Sequence, residues 1–138
     1  MRNTLVADTG VVFAAFDTAD ADHKPCLDLL GSGAAVIVPA PVVVELDWLS
    51  RSRGVPAASS FLLASVVDGS VIVADLERED YARTLELVLR YADLPLGLVD
   101  ASIVAVAERL EQDTIATLDH RHFSVVRPLH VPAFTLVP

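Results

Sequence analysis

The stretch VVVELDWL at residues 42–49 sets two carboxylates in an otherwise apolar run, directly after Pro39 and Pro41. Proline is favoured in the first turn of a helix, where its fixed φ is pre-organised and its missing N–H has no partner to lose. Read as a helix, the stretch separates its acids, because side chains three and four positions apart share a face. Glu45 has Pro41, Val42, Trp48 and Leu49 as neighbours, whereas Asp47 has Val43, Val44, Ser50 and Arg51. Asp47 therefore reads as a surface acid paired with Arg51. Glu45 lies on an apolar seam, where an ionised carboxylate costs several kcal/mol unless Arg, Lys or a metal ion meets it.

Outward from this helix the chain alternates short β-type runs with longer helical patterns. The runs TLVA (4–7), AVIV (35–38), VIVA (71–74) and TIATL (114–118) read as buried strands of a parallel sheet. Helices are expected over 11–16, 23–30, 42–52, 57–67, 79–91 and 98–110, with a final strand within 130–136. Strands alternating with helices give an α/β fold with right-handed crossovers. With no repeat, low-complexity tract or linker-like shift in composition, residues 1–138 are read as one domain.

Three of the strands run straight into an aspartate: Asp8, Asp75 and Asp119. Ligands of open α/β sheets bind beyond the carboxyl ends of the strands, so each is a candidate, and each also suits a helix N-cap. Asp100, in LGLVDASIVAVAERL, sits in the first turn of a helix, where the dipole favours a carboxylate, and its neighbours Ile103 and Val104 place it on an apolar seam like Glu45. Asp93, in YADLPLG, reads either as a loop acid or as a helper of the site. Carboxylates crowded in a low-dielectric cleft raise one another's pKa or take up a cation. Oxygen ligands without cysteine or clustered histidine suit Mg²⁺ or Mn²⁺ rather than zinc. His23 stands alone, His120 and His122 flank an acid without a third ligand beside them, and His130 lies in the last apolar segment.

Composition narrows the partners. The formal net charge is −9 and Lys24 is the only lysine, which excludes a broad basic surface. Nucleic-acid contact is then confined to local patches, Arg51 with Arg53 and the run His120, Arg121, His122 with Arg127, each of which also reads as a solvated rim. A hydrophobic fraction of 53% and a mean hydropathy of +0.50 leave apolar surface for a partner. The longest stretch without charge, 29–44, has 16 residues and two prolines, too short and too broken for a transmembrane span. The start MRNTLVAD carries no secretory pattern, and a lone Cys26 suits a reducing cytoplasm.

Taken in order, DTG after the first strand, VELDWL on an early helix, LGLVDASIVAVAERL and ATLDHRHF resemble the PIN-domain ribonucleases, in particular the VapC toxins of bacterial toxin–antitoxin pairs. The resemblance runs from Val6 to the terminal FTLVP. It implies the PIN fold, a central parallel sheet in the order 3-2-1-4-5 flanked by helices, which puts Asp8 and Asp119 side by side and leaves the third strand at an edge. Asp75 then falls back to a cap. It also implies that Asp8, Glu45, Asp100 and Asp119 form an acidic quartet holding Mg²⁺, or Mn²⁺, with Asp8 and Asp100 as direct ligands and the other two completing the pocket. Thr9 and Thr117 fall on the polar positions beside the first and last acids, and Gly10 stands where serine is common. The implied activity is metal-assisted hydrolysis of structured RNA, tRNA or rRNA, leaving 5′-phosphate and 3′-hydroxyl ends. Arg51, Arg53 and Arg121 are the candidate RNA contacts. The implied partners are a cognate antitoxin and a second copy of the chain. A stand-alone PIN nuclease and a PIN module without catalysis are the alternatives. A receiver domain would need a late functional lysine, and a dehalogenase-type phosphatase a second aspartate where Gly10 stands.

Overall fold

The computed structural model describes residues 3–138. Strands β1 (Thr4–Ala7), β2 (Ala35–Pro39), β3 (Val71–Ala74), β4 (Thr114–Ala116) and β5 (Thr135–Val137) form one sheet in the order β3-β2-β1-β4-β5. Every ladder is parallel, and Val6 at the centre pairs with Ile37 on one side and Ile115 on the other. All five carboxyl ends therefore open on one edge, with those of β1 and β4 adjacent. This is the α/β architecture and strand order expected.

Among the described residues seven helices connect the strands: α1 (Thr9–Phe16), α2 (His23–Leu30), α3 (Ala40–Ser52), α4 (Ala57–Val67), α5 (Arg78–Arg90), α6 (Leu98–Arg109) and α7 (His120–Val125). Helices α1 and α6 carry long buried runs, residues 11–15 and 101–107, in keeping with segments that are apolar on every face. Phe13, Leu46, Leu62, Leu87, Ile103, Ile115 and Phe123 are the bulkiest fully buried side chains of the core they share. Among the described residues no helix is long and apolar enough to cross a membrane.

Local chemistry explains where these elements depart from expectation. Pro39 takes φ −59°, ψ 142° as the residue before α3, so the helix starts at Ala40, ahead of the apolar run. Helix α7 was not anticipated: six residues are too few to show a periodicity, and Asp119 starts it by accepting the His122 N–H at 3.1 Å. β4 stops at Ala116, although the Thr117 N–H still reaches the Val137 carbonyl at 2.8 Å. β3 is an edge strand with Ile72 56% exposed, not a buried one. Asp75 does not cap α5. Glu77 does, in a capping box where the Glu77 N–H donates to Asp80 at 2.9 Å, and Asp75 contributes only its carbonyl, which accepts from Arg109 at 3.0 Å.

Candidate active site

Asp8 leaves β1 and caps α1. One carboxylate oxygen accepts the Thr9 N–H at 2.7 Å, and the other accepts the Thr117 hydroxyl at 2.9 Å. That hydroxyl in turn accepts the Asp119 N–H at 2.9 Å, so Thr117 ties the end of β4 to the end of β1. Thr9 serves Asp8 through its backbone, while its own Oγ1 is buried without a hydrogen-bond partner. Burial, then repulsion from Asp100 and from Glu45, pushes the Asp8 carboxyl up to about 6 from its ordinary 3.8, although the two hydrogen bonds pull the other way.

Asp100 enters from the first turn of α6. Its pKa is also raised, chiefly by burial; contact with His122 offsets part of that rise, and Asp119 and Glu45 add smaller repulsions. The imidazole is the element that sequence reading missed. His122 Nδ1 lies 3.0 Å from Asp100 Oδ2 and 2.9 Å from Asp119 Oδ2, so one ring nitrogen joins acids from two elements. The available signal was the spacing of Asp119 and His122, three residues apart at a helix start and hence on one face. Asp100, Asp119 and His122 form a tight group whose candidate ligand atoms lie within 4.8 Å of one another. Asp8 and Glu45 stand outside that group and couple to it through their charge.

Glu45 corrects the seam expectation in part. The buried stripe of α3 is Val42, Leu46 and Ser50, and Glu45 sits half-buried beside it. Of its helical neighbours Val42 is buried but Trp48 is 68% exposed, and Trp48 with Val44, 72% exposed, and Pro41, Leu98 and Val99 lines an open groove of about 550 Å³ that Glu45 joins to the acids. Asp47 points elsewhere, accepting from Arg51 at 3.1 Å and from Ser59 at 3.0 Å, contacts that hold its carboxyl below the ordinary value, Ser59 contributing most.

The other candidates are not drawn into the pocket. Asp93 is exposed, with no hydrogen bond or ion pair among the described residues. Arg51 is engaged by Asp47, and the Arg53 guanidinium lies 5.0 Å over the Phe13 ring. Arg121 is exposed on α7, next to His122. Among the described residues no Lys or Arg pairs with Asp8, Glu45, Asp100 or Asp119; His122 alone does, with the last two. An oxygen-rich donor set short of positive charge, with an orphaned Thr9 hydroxyl beside it, fits a hard divalent cation.

A parallel sheet in this order, with carboxylates gathered over its central strands, is the PIN-domain arrangement, and residues 5–128 match the PIN domain family. The chain is 34% identical over 135 residues to ribonuclease VapC26 of Mycobacterium tuberculosis, a match covering 97% of this chain and 100% of that protein. The chain belongs to the PIN-domain family and, within it, to the VapC proteins. Solved structures share the fold. Mycobacterium tuberculosis VapC20, a sarcin-ricin loop cleaving toxin, superposes with a TM-score of 0.81 at 21% identity, covering 92% of this chain and 98% of that one. VapBC2 of Rickettsia felis, bound to a promoter DNA fragment, gives 0.66 at 18% identity with 96% of each chain covered.

Proposed function

We propose that this protein is the toxin of a VapBC-type pair, a cytoplasmic, Mg²⁺-dependent endoribonuclease that hydrolyses phosphodiester bonds in structured RNA. The observation that carries this reading is the convergence of Asp8, Asp100, Asp119 and Glu45 on one edge of the sheet with a single imidazole to meet them. Asp8 and Asp100 would be the direct ligands of the cation, with Asp119 and Glu45 completing the pocket and Mn²⁺ an acceptable substitute. Bound there, the cation supplies Lewis acidity and a water of lowered pKa. The chain's own part is positioning. Thr9 and Thr117 hold the two Asp8 oxygens, and Glu45 carries negative charge to the mouth of the groove. Water adds across the P–O bond, leaving 5′-phosphate and 3′-hydroxyl ends.

The ribonuclease relative supports RNA as the substrate, and the sarcin-ricin loop specificity of VapC20 favours an exposed loop of ribosomal RNA, with tRNA the competing choice. Arg121, exposed beside the pocket, is the foremost phosphate contact; Arg51 and Arg53 lie roughly 9–12 Å along α3 from Glu45 at the rise of a helix. The antitoxin partner is supported by neighbours solved as toxin–antitoxin complexes, and the exposed Val44, Trp48 and Leu98 support association with it or with a second copy. A cationic antitoxin side chain entering the carboxylate pocket would stand in for the metal. The test is cleavage of total RNA by the purified protein with Mg²⁺, with Mn²⁺ and with chelator, followed by analysis of the fragment ends. Cleavage that persists in chelator, or that leaves cyclic phosphates, overturns the reading.

A further inference from the structure

We propose that His122 is a positioning residue of the acidic pocket, whose Nδ1–H clamps the Asp100 and Asp119 carboxylates at a fixed spacing so that a divalent cation meets them preset. The inference rests on the metal-dependent reading above and adds to it a residue outside the acidic set. Asp100 comes from the first turn of α6 and Asp119 from the junction of β4 and α7, and neither is packed in place: their side chains are 22% and 41% exposed. Two such carboxylates repel, and free rotation would let them part. One atom opposes this. His122 Nδ1 hydrogen-bonds Oδ2 of Asp100 at 3.0 Å and lies 2.9 Å from Oδ2 of Asp119, and since both oxygens are acceptors the hydrogen is assigned to Nδ1.

Asp119 is itself fixed by a second bond. The His122 backbone N–H donates to Asp119 Oδ1 at 3.1 Å, so Asp119 is held at one oxygen by the helix start and at the other by the imidazole. Phe123 anchors the next position in the core at 1% exposure, which sets the orientation of α7 and with it the ring. A residue serving only as a helix cap partner would not need to reach Asp100, 22 positions back in the chain. Groups that orient metal ligands in this way are worth roughly 10–100-fold in metal affinity.

The experiment measures Mn²⁺ affinity of the full-length protein by electron paramagnetic resonance, for the wild type and for His122→Ala, His122→Asn and His122→Gln, with melting curves in chelator as a check on folding. The asparagine amide nitrogen sits where Nδ1 does, and the glutamine amide nitrogen where Nε2 does. The expected order is wild type, then Asn within about threefold, then Gln and Ala weaker by roughly 10–100-fold. If the alanine variant does not fold, the contrast between Asn and Gln decides alone. Alanine binding Mn²⁺ as the wild type does, or Gln restoring affinity as well as Asn, overturns the clamp. So does an imidazole nitrogen coupled directly to bound Mn²⁺ in pulsed spectra of the wild type, since His122 would then be a ligand. A wild type that binds no Mn²⁺ instead removes the metal-dependent reading on which the clamp rests.

Discussion

The contact between α5 and α6 and the carboxyl edge of the sheet both hold acids away from water, and they treat the charge in opposite ways. Between the helices, Arg83 reaches both oxygens of Glu108 at 2.8 and 3.0 Å, and Arg109 lies 2.9 Å from Asp80, which is 2% exposed. Glu108 also accepts the Leu129 N–H at 2.7 Å. Each acid there has its guanidinium, in the planar fork that suits a carboxylate. At the sheet edge four acids have one imidazole among them, in contact with Asp100 and Asp119 alone, and burial with mutual repulsion raises Asp8 and Asp100 above the ordinary aspartate value. One cluster is neutralised by the chain itself and acts as structure. The other is left short of positive charge, which costs stability in the free protein and is what the proposed cation would supply.

The contrast breaks first at the guanidinium. Arg83→Met leaves Glu108 buried and unpaired, and should lower unfolding stability by roughly 3–5 kcal/mol in urea titrations while leaving RNA cleavage per folded molecule intact. A loss under about 1 kcal/mol would mean the pair behaves like a solvated surface bridge, and the two regions would no longer differ in kind.

Removing charge from the pocket should do the reverse. The Asp8 carboxyl rises to about 6 on folding, so its protonated form favours the native state. That contribution is fully present below about pH 3.8 and is lost as pH climbs through about 6. In chelator the wild type should therefore lose stability on this account between pH 4 and 7, by up to roughly 3 kcal/mol, and Asp8→Asn should flatten the profile. Near pH 7.5 the variant should melt higher than the wild type, yet cleave RNA at least roughly 10²-fold more slowly, having lost a ligand worth several kcal/mol to the reaction. An Asp8→Asn protein that is both less stable and fully active would identify Asp8 as a simple helix cap.

How much of this was legible depends on the range over which each signal acts. Strands ending in Asp8 and Asp119, and an acid in the first turn of α6, are local patterns, and the structure places them together as the strand order requires. The buried face of α3 was only half legible, because Val44 and Trp48 break the usual rule by turning apolar groups outward. His122 was the harder case. Its meaning comes from Asp100, brought alongside by the packing of α6, and nothing near residue 122 in the sequence announces that meeting. The ion pairs Arg83–Glu108 and Arg109–Asp80 are equally non-local, joining residues 25 and 29 positions apart.

Within α3 the same contrast recurs on a smaller scale and can be sharpened. Glu45→Gln takes a charge from the pocket and should reduce cleavage roughly 10²-fold, about 2.7 kcal/mol of barrier, without loosening the fold. Asp47→Asn disturbs only the bonds to Arg51 and Ser59 and should leave cleavage unchanged. Similar activity losses in the two variants would show that the faces of α3 have been assigned wrongly.

The smallest expected effect concerns the third strand-end acid. Asp75 follows β3, at the edge of the sheet and two strands from Asp8, and it offers a carbonyl to Arg109 rather than a carboxylate to a helix or a ligand. Glu77 performs the capping, its side chain accepting the Asp80 N–H while the Asp80 carboxylate accepts the Glu77 N–H at 2.9 Å. Glu77→Ala removes half of that reciprocal arrangement and a bridge to Arg109, and should cost about 1 kcal/mol, the usual scale for losing a cap. Asp75→Asn keeps the carbonyl and should change neither stability nor Mn²⁺ affinity. The two variants, melted side by side and titrated with Mn²⁺, test the strand order as well as the cap. If Asp75→Asn weakened metal binding, β3 could not lie at the edge, and the separation between a neutralised structural region and a charge-deficient pocket would have to be redrawn to include it.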